Sequence, residues 1–336
     1  MVASVRERGQ KMKTDSPNGG NIRKSNENAP MTTTFDPDAL ECLAAIVEEG
    51  GFERAAQRLS ITQSAVSQRL RALEAQVGTV LLVRSRPIKP TPAGLLLIKH
   101  AKMMRLLRAD LERDLRELAP TLAHRARDEG RISVAINADS IASWALPALT
   151  PLVRDGVPLE IIHDDQDFTH EWLREGQVMG CVTSLAQPLR GCRIEPLGRM
   201  AYVAVASPAF AAAALDGRLT RHNFHRVPFV AFNRKDDLQR DFVCRAFGLA
   251  QVGLQQCYVP SSEGQVRAAL DGWGVTVVPR LVAGPALARG ALVDVAPGVD
   301  YAVPLYWHCW NLDSDVLARL TQALRDAAAQ ALAPMA

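Results

Sequence analysis

The chain has 336 residues, 48% of them hydrophobic and 22% charged. That length suits two or three domains with cores of their own, and the balance excludes general disorder. The net charge of +3 is mild, but residues 1–34 hold six Lys and Arg against three acids, which accounts for the whole excess. No apolar run approaches the ~18 residues that a membrane span requires. The polar start MVASVRERGQKMKTD has no apolar h-region of a secretory signal. A cytoplasmic chain without membrane contact is expected. The six cysteines form no CxxC pair and stand near no His at ligand spacing. They read as reduced core thiols, with a redox-sensing pair as the alternative. No metal and no cofactor are expected.

Residues 1–34, rich in Asn, Ser, Gly, Lys and Arg, read as a disordered tail. Met31, just before the first periodic pattern, offers an alternative start. From Asp36 the pattern is helical, with Leu40, Leu43, Ala44 and Val47 on one face and Gly50-Gly51 at the end. Phe52–Leu59 is a second, short helix, and Ser60-Ile61 a turn. Thr62 caps a third helix to Val77, with Val66, Leu70, Leu73 and Val77 inward and Gly78 closing it. Val80–Arg84 and Ile88–Pro90 form a small hairpin. Residues 35–91 thus read as a winged helix-turn-helix domain.

Pro92 starts a long helix to about residue 120, on which Leu97, Met104, Leu111 and Leu118 fall seven apart. A heptad stripe on a charged helix points to a partner helix and a dimer; packing on its own chain is the alternative. Residues 121–130 read as a hinge linker. Strands are expected at Ile132–Ile136, Leu159–His163, Val178–Thr183, Tyr202–Ala206, Phe229–Phe232, Gln255–Val259, Val275–Val278 and Leu305–Cys309. Helical segments separate them, and a helix from about Asp313 to Leu332 ends the chain. This alternation predicts an α/β effector domain with largely parallel sheets. One lobe would take 131–200 plus 302–336, the other 201–301.

The third helix turns Thr62, Gln63, Ser64, Ser67, Gln68 and Arg71 away from its apolar face. These short or bidentate side chains suit phosphates and base edges in a major groove. Arg54, Arg84 and Arg86 join them as candidate DNA contacts. Residues 54–89 carry seven basic residues and one acid, Glu74, a balance suited to phosphates. Double-stranded promoter DNA is the expected partner.

The stretch GGFERAAQRLSITQSAVSQRLRALEAQVGTVLLVRS, followed by PTPAG, resembles the LysR-type regulators. The AA-x-x-L, T-Q-S-A-V-S, R-x-LE, LL-x-R and TPAG motifs appear in the family's order, and the resemblance covers residues 35 to about 333. It implies a dimerising linker helix, a two-lobed effector domain of the periplasmic-binding-protein type II kind, assembly to a tetramer and contact with RNA polymerase.

In such a fold strand ends and helix N-termini meet the small molecule. The effector candidates are Asn137, Asp139, Ser140, Trp144, Asp164, Asp165, Asp167, Ser262, Glu263 and Trp307. Ser140, with the backbone after it, suits a ligand carboxylate, a plain helix cap being the alternative. The acids suit a basic ligand, though acids after strands are often caps. NADSIASWALPAL, FVAFNRKDDLQRDF, SSEGQVRAAL and LYWH resemble the arginine/lysine-export branch of the family, the ArgP/LysG type. That likeness implies activation of an amino-acid exporter gene in response to lysine or arginine. Asn233, where the branch carries an acid, leaves the choice of cation open.

A LysR-type regulator of another pathway and an architectural DNA-binding protein without effector response are alternatives. A transport binding protein is disfavoured by the DNA-reading segment. An enzyme is disfavoured because no GxSxG, P-loop, HExxH or strand-linked GxGxxG occurs. His163 and His170 read as structural.

Overall fold

The computed structural model describes residues 34–83, 85–118, 131–164 and 169–335, with backbone alone at 116–118 and 164. The tail (Thr34 apart) and the hinge linker expected at 121–130 lie outside the described residues.

Helix α1 (Pro37–Glu48) starts with Asp36 accepting from the Asp38 N–H and proline in its first turn. Helix α2 (Phe52–Arg58) follows, then a turn in which Ser60 takes a φ of 54°. Helix α3 (Gln63–Val77) is capped by Thr62, which accepts from the Ala65 N–H at 3.2 Å, and ends on left-handed Gly78. A cap of this kind contributes about 1 kcal/mol. The three helices pack together, burying Leu40, Leu43, Ile46, Ala55, Ala56, Val66, Leu70 and Leu73.

Strands β1 (Leu82–Val83) and β2 (Lys89–Pro90) pair antiparallel as a wing, shorter than expected. Helix α4 (Pro92–Leu118) begins against this wing. Thr91 Oγ1 donates to the Val80 carbonyl and accepts from the Gly94 N–H. A Cβ at residue 94 would lie 2.1 Å from the Leu81 carbonyl oxygen, so Gly94 sets the close approach. This is the physical content of the TPAG motif.

Helix α4 has two working faces. Ile98, Ala101, Lys102, Leu106 and Asp110 are buried on their own chain. Leu96, Leu107, Leu111 and Leu115 are exposed, and Leu97 and Met104 half-buried. At 3.6 residues per turn the heptad stripe falls on the side facing away from the buried one. One face thus packs on its own chain, and the opposite, heptad face stays exposed. The Leu118 side chain lies outside the described residues.

The effector domain is built on a seven-stranded sheet of order β10-β6-β11-β5-β3-β4, with β9 also on β6. Its strands are β3 (Ile132–Asn137), β4 (Leu159–Asp164), β5 (Gly180–Thr183), β6 (Cys192–Ala206), β9 (Thr276–Pro279), β10 (Val293–Asp294) and β11 (Tyr301–Trp310). Only β3 with β4 and β3 with β5 are parallel; β6, β9, β10 and β11 all pair antiparallel. A separate parallel pair joins β7 (Pro228–Ala231) and β8 (Gln255–Tyr258). The expectation of largely parallel sheets is corrected, because the long β6 pairs antiparallel with β9, β10 and β11. Strand β6 has 15 residues, where only its last five were expected.

Helices cover the sheet. They are α5 (Ala138–Ser140), running through a π turn (Ile141–Ala145) into α6 (Leu146–Arg154), then α7 (Thr169–Arg174), α8 (Pro208–Leu215), α9 (Leu238–Phe247), α10 (Ser262–Leu270), α11 (Arg280–Ala288) and α12 (Asp315–Ala331). The main core gathers Val134, Ile136, Leu152, Leu173, Val182, Leu305, Trp307, Trp310, Leu320 and Leu324, and takes in Leu106 of α4. A smaller one packs Val203, Val205, Val278 and Leu292. Among the described residues no helix is long and apolar enough to cross a membrane.

Candidate functional site

The outer face of α3 and the wing form one surface. Arg54, Thr62, Gln63, Ser64, Gln68, Arg71 and Arg86 are exposed, and Ser67 is half-buried. Gln63, Ser67 and Arg71 of α3 line an open depression of about 620 Å³ with Ser85, Arg86 and Ile88 of the wing. Thr62 Oγ1 also bonds Ser64 Oγ at 2.9 Å, which fixes the first turn of the helix. Arg84 lies outside the described residues.

The seven basic residues do not all face outward. Arg58 pairs with Glu48 at 2.6 Å and Glu49 at 3.3 Å, and Arg69 with Asp38 at 3.1 Å. These acids belong to α1 and its cap, before the stretch over which the sequence count ran. Glu74, the single acid in that stretch, accepts from the Leu81 N–H and so holds the wing. Arg54, Arg71, Arg86 and Lys89 remain exposed for phosphates.

The second candidate region lies at the C-terminal ends of β3 and β4, facing the start of α10. Asp139 follows β3. Its carboxylate accepts from Tyr202 Oη of β6 at 2.6 Å and from the Ser262 hydroxyl at the start of α10. Burial raises this carboxyl above its ordinary value, against those two hydroxyls, and the nearby Asp236 charge raises it further. Among the described residues no cation faces it. Asn137 and Ser140 are fully buried, and their side-chain polar atoms have no partner among the described residues. Such atoms are rare in folded proteins, and here they leave polar groups open beside Asp139. Asp139, Asn137, Ser140 and Ser262 are thus brought together around the first strand's end.

Other effector candidates are not. Trp307 has no exposed surface; its Nε1 donates to Thr321 Oγ1 at 2.9 Å, and its ring lies over Gly180. Trp144 is buried in the same core. Trp307 is corrected to a core residue, because it points into the layer between sheet and helices; the Nε1 of Trp144 has no partner among the described residues. Glu263 is exposed on α10. The Asp164 side chain, and Asp165 and Asp167, lie outside the described residues. Asp236 shapes its own loop by accepting from the Phe232 and Leu238 N–H groups. Sequence reasoning missed Tyr202, whose ring also meets Tyr301 edge-on; a tyrosine inside an apolar strand gives no signal of a polar role.

All six cysteines are free, and Cys42, Cys181 and Cys309 are buried. Burial pushes each of these three thiols up, which suits inert core groups.

Residues 37–95 match the family described as the bacterial regulatory helix-turn-helix protein, lysR family, and residues 125–333 match the LysR substrate binding domain. The HTH-type transcriptional regulator ArgP of Aeromonas salmonicida is 40% identical over 301 residues, 89% of this chain and 99% of its own. The crystal structure of ArgP from Mycobacterium tuberculosis matches with a TM-score of 0.75 and 40% identity, over 90% of this chain and 100% of its own. The full-length LTTR LysG from Corynebacterium glutamicum with bound effector Arg matches at 0.67 and 36%, over 89% and 100%. The two-part architecture is therefore that of a DNA-binding transcription regulator with a small-molecule-sensing domain. The chain belongs to the LysR family.

Proposed function

We propose that the chain senses a basic amino acid, arginine or lysine, between its lobes and passes that signal to promoter DNA. The carrying observation is Asp139: a half-buried carboxylate, raised by burial and by Asp236, that meets two hydroxyls and, among the described residues, no cation. A guanidinium or ammonium group satisfies such a site, whereas a neutral side chain leaves the charge desolvated and unpaired. The effector Arg bound to LysG supports the same chemistry at 36% identity.

In this reading residues 35–91 bind DNA, 92–120 form the linker helix, 121–130 are a hinge, and 131–336 form two lobes divided near 200 and 301. Arg54, Thr62, Gln63, Ser64, Ser67, Gln68, Arg71, Arg84 and Arg86 meet phosphates and base edges. Asn137, Asp139, Ser140 and Ser262 meet or frame the effector, and Asp164, Asp165, Asp167 and Glu263 are further effector candidates. The exposed leucines of α4 pair with a second copy, and dimers assemble to a tetramer. The regulator is cytoplasmic, acts by binding rather than catalysis, and works on RNA polymerase at an exporter promoter. Ligand selects one of two DNA-bound arrangements through its differential affinity for them.

The test is operator affinity of the full-length chain with and without L-arginine or L-lysine, at fixed salt. An affinity or footprint that changes with these two amino acids but not with L-leucine supports the reading. A response to none of them refutes it.

A further inference from the structure

We propose that Lys102 is the positioning residue through which the DNA-reading head and the effector lobe bias each other within one chain. The inference deepens the regulatory reading above and rests on it.

Lys102 lies on α4 and is only 8% exposed. Its Nζ donates to the Gln177 carbonyl at 2.9 Å and stands 3.6 Å from Glu48 Oε1 of α1. One ammonium thus touches the head, rides on the linker helix and holds the effector domain. Glu48 is itself shared, with Arg58 of α2 and with Arg105 of α4. Burial disfavours the Glu48 carboxylate, yet Arg105, Lys102 and Arg58 hold it below its ordinary value. Burial also pushes the Lys102 ammonium down, against the pull of Glu48. A desolvated ammonium stabilises a fold poorly compared with an apolar side chain of its length. Stability alone therefore does not account for a lysine here.

The Gln177 end of the contact leads through α7 to β5. Gln177 directly follows the turn that ends α7, where its N–H donates to the Trp172 carbonyl. At the other end of α7, fully buried Thr169 donates through Oγ1 to the Val182 carbonyl of β5 at 2.6 Å. A six-residue helix is roughly 9 Å long, so one short rigid element spans from the strand end to Lys102. One turn earlier on α4, Lys99 lies against Gly176, which takes a φ of 70° and where a Cβ would come within 2.9 Å of Lys99 Cβ. Leu106, one turn later, is buried in the effector core. The close approach on both sides leaves Lys102 no slack, so a shift of α7 breaks the Gln177 bond and returns the ammonium to Glu48.

The test uses hydrogen exchange on the full-length chain, with and without a DNA duplex selected by the wild-type protein from a random pool. DNA binding changes exchange over residues 172–180 in the wild type and in Lys102→Arg. Lys102→Met loses that change while its DNA affinity and its L-arginine affinity, each measured alone, stay within about threefold of wild type. The factor by which L-arginine alters DNA affinity falls toward one in Lys102→Met, as does the reciprocal factor. Glu48→Gln, equal in size, repeats the loss and guards against a folding defect of the first variant. An unchanged exchange response in both variants overturns the proposal, as does a wild type whose residues 172–180 ignore DNA. If L-arginine has no effect on the wild type while the exchange response is present and is lost in Lys102→Met, the effector reading fails and this one stands.

Discussion

The Ser262 hydroxyl donates to the Asp139 carboxylate, and this one bond joins the end of β3 to the start of α10. Tyr202, on the strand that crosses between lobes, donates to the same carboxylate. Any opening of the lobes must break or stretch the Ser262 bond. Asp139 is therefore placed to report both lobe separation and ligand charge.

Its raised pKa gives a pH prediction. An acid raised by burial holds its proton further up the pH scale in the apo protein than it does beside a cation. Binding of L-arginine then releases protons, in the window between the lower ligand-bound value and the higher apo value. Calorimetry in two buffers of different ionisation enthalpy reads this as a buffer-dependent heat. Asp139→Asn abolishes the buffer dependence and weakens binding about tenfold or more, equivalent to about 1.4 kcal/mol. Equal heats in both buffers for the wild type contradict the assignment. The same sign governs stability: with the folded-state pKa raised above the unfolded one, Asp139 makes the apo chain less stable as pH rises from the ordinary carboxyl value to the raised folded one.

Gln68→Ala and Arg71→Ala each cost about 1–3 kcal/mol of operator binding and relax base preference at one position. Arg86→Ala weakens binding to all sequences alike and lowers the salt slope by about 1. L-Arginine affinity stays unchanged in all three. Operator affinities equal to wild type at matched salt remove α3 and the wing from the interface.

Leu111→Asp places a charge within the exposed apolar face of α4, where Leu107 and Leu115 lie one turn away on either side. Light scattering should then report a smaller particle than the wild type, with helix content retained. An unchanged mass means that this face does not carry the assembly.

Trp307→Ala removes a fully buried ring and its bond to Thr321. It should cost about 3–5 kcal/mol of stability, read as a lower denaturation midpoint. If stability is retained while L-arginine binding is lost, the tryptophan is a ligand contact after all.

The legible parts of this chain were those with local chemistry. Asp36, Thr62 and Gly78 announce their helix ends by capping, and the α3 apolar spacing sets which face is left for DNA. The long strand β6 was not legible in its first half, because Pro196 and Gly198 interrupt CRIEPLGRM and pairing with β11, helped by the Arg199–Ala333 bridge, keeps it extended. Trp307 was misread for a related reason: strand positions near a cleft and inside a core have the same sequence pattern. The sequence reads α4 only as a charged helix, yet Lys102 and Asp110 are buried in the fold. Arg58 and Arg69 counted toward a basic patch until α1 supplied their acids. Pairings across long sequence separations are what the pattern omits.

The most direct measurement is calorimetric titration of the full-length chain with L-arginine, L-lysine and L-leucine under one buffer and salt. The account predicts saturable heat from at least one basic amino acid, none from leucine, and a weaker response in Asp139→Asn. Absence of heat from both basic amino acids, or equal heat from leucine, contradicts it.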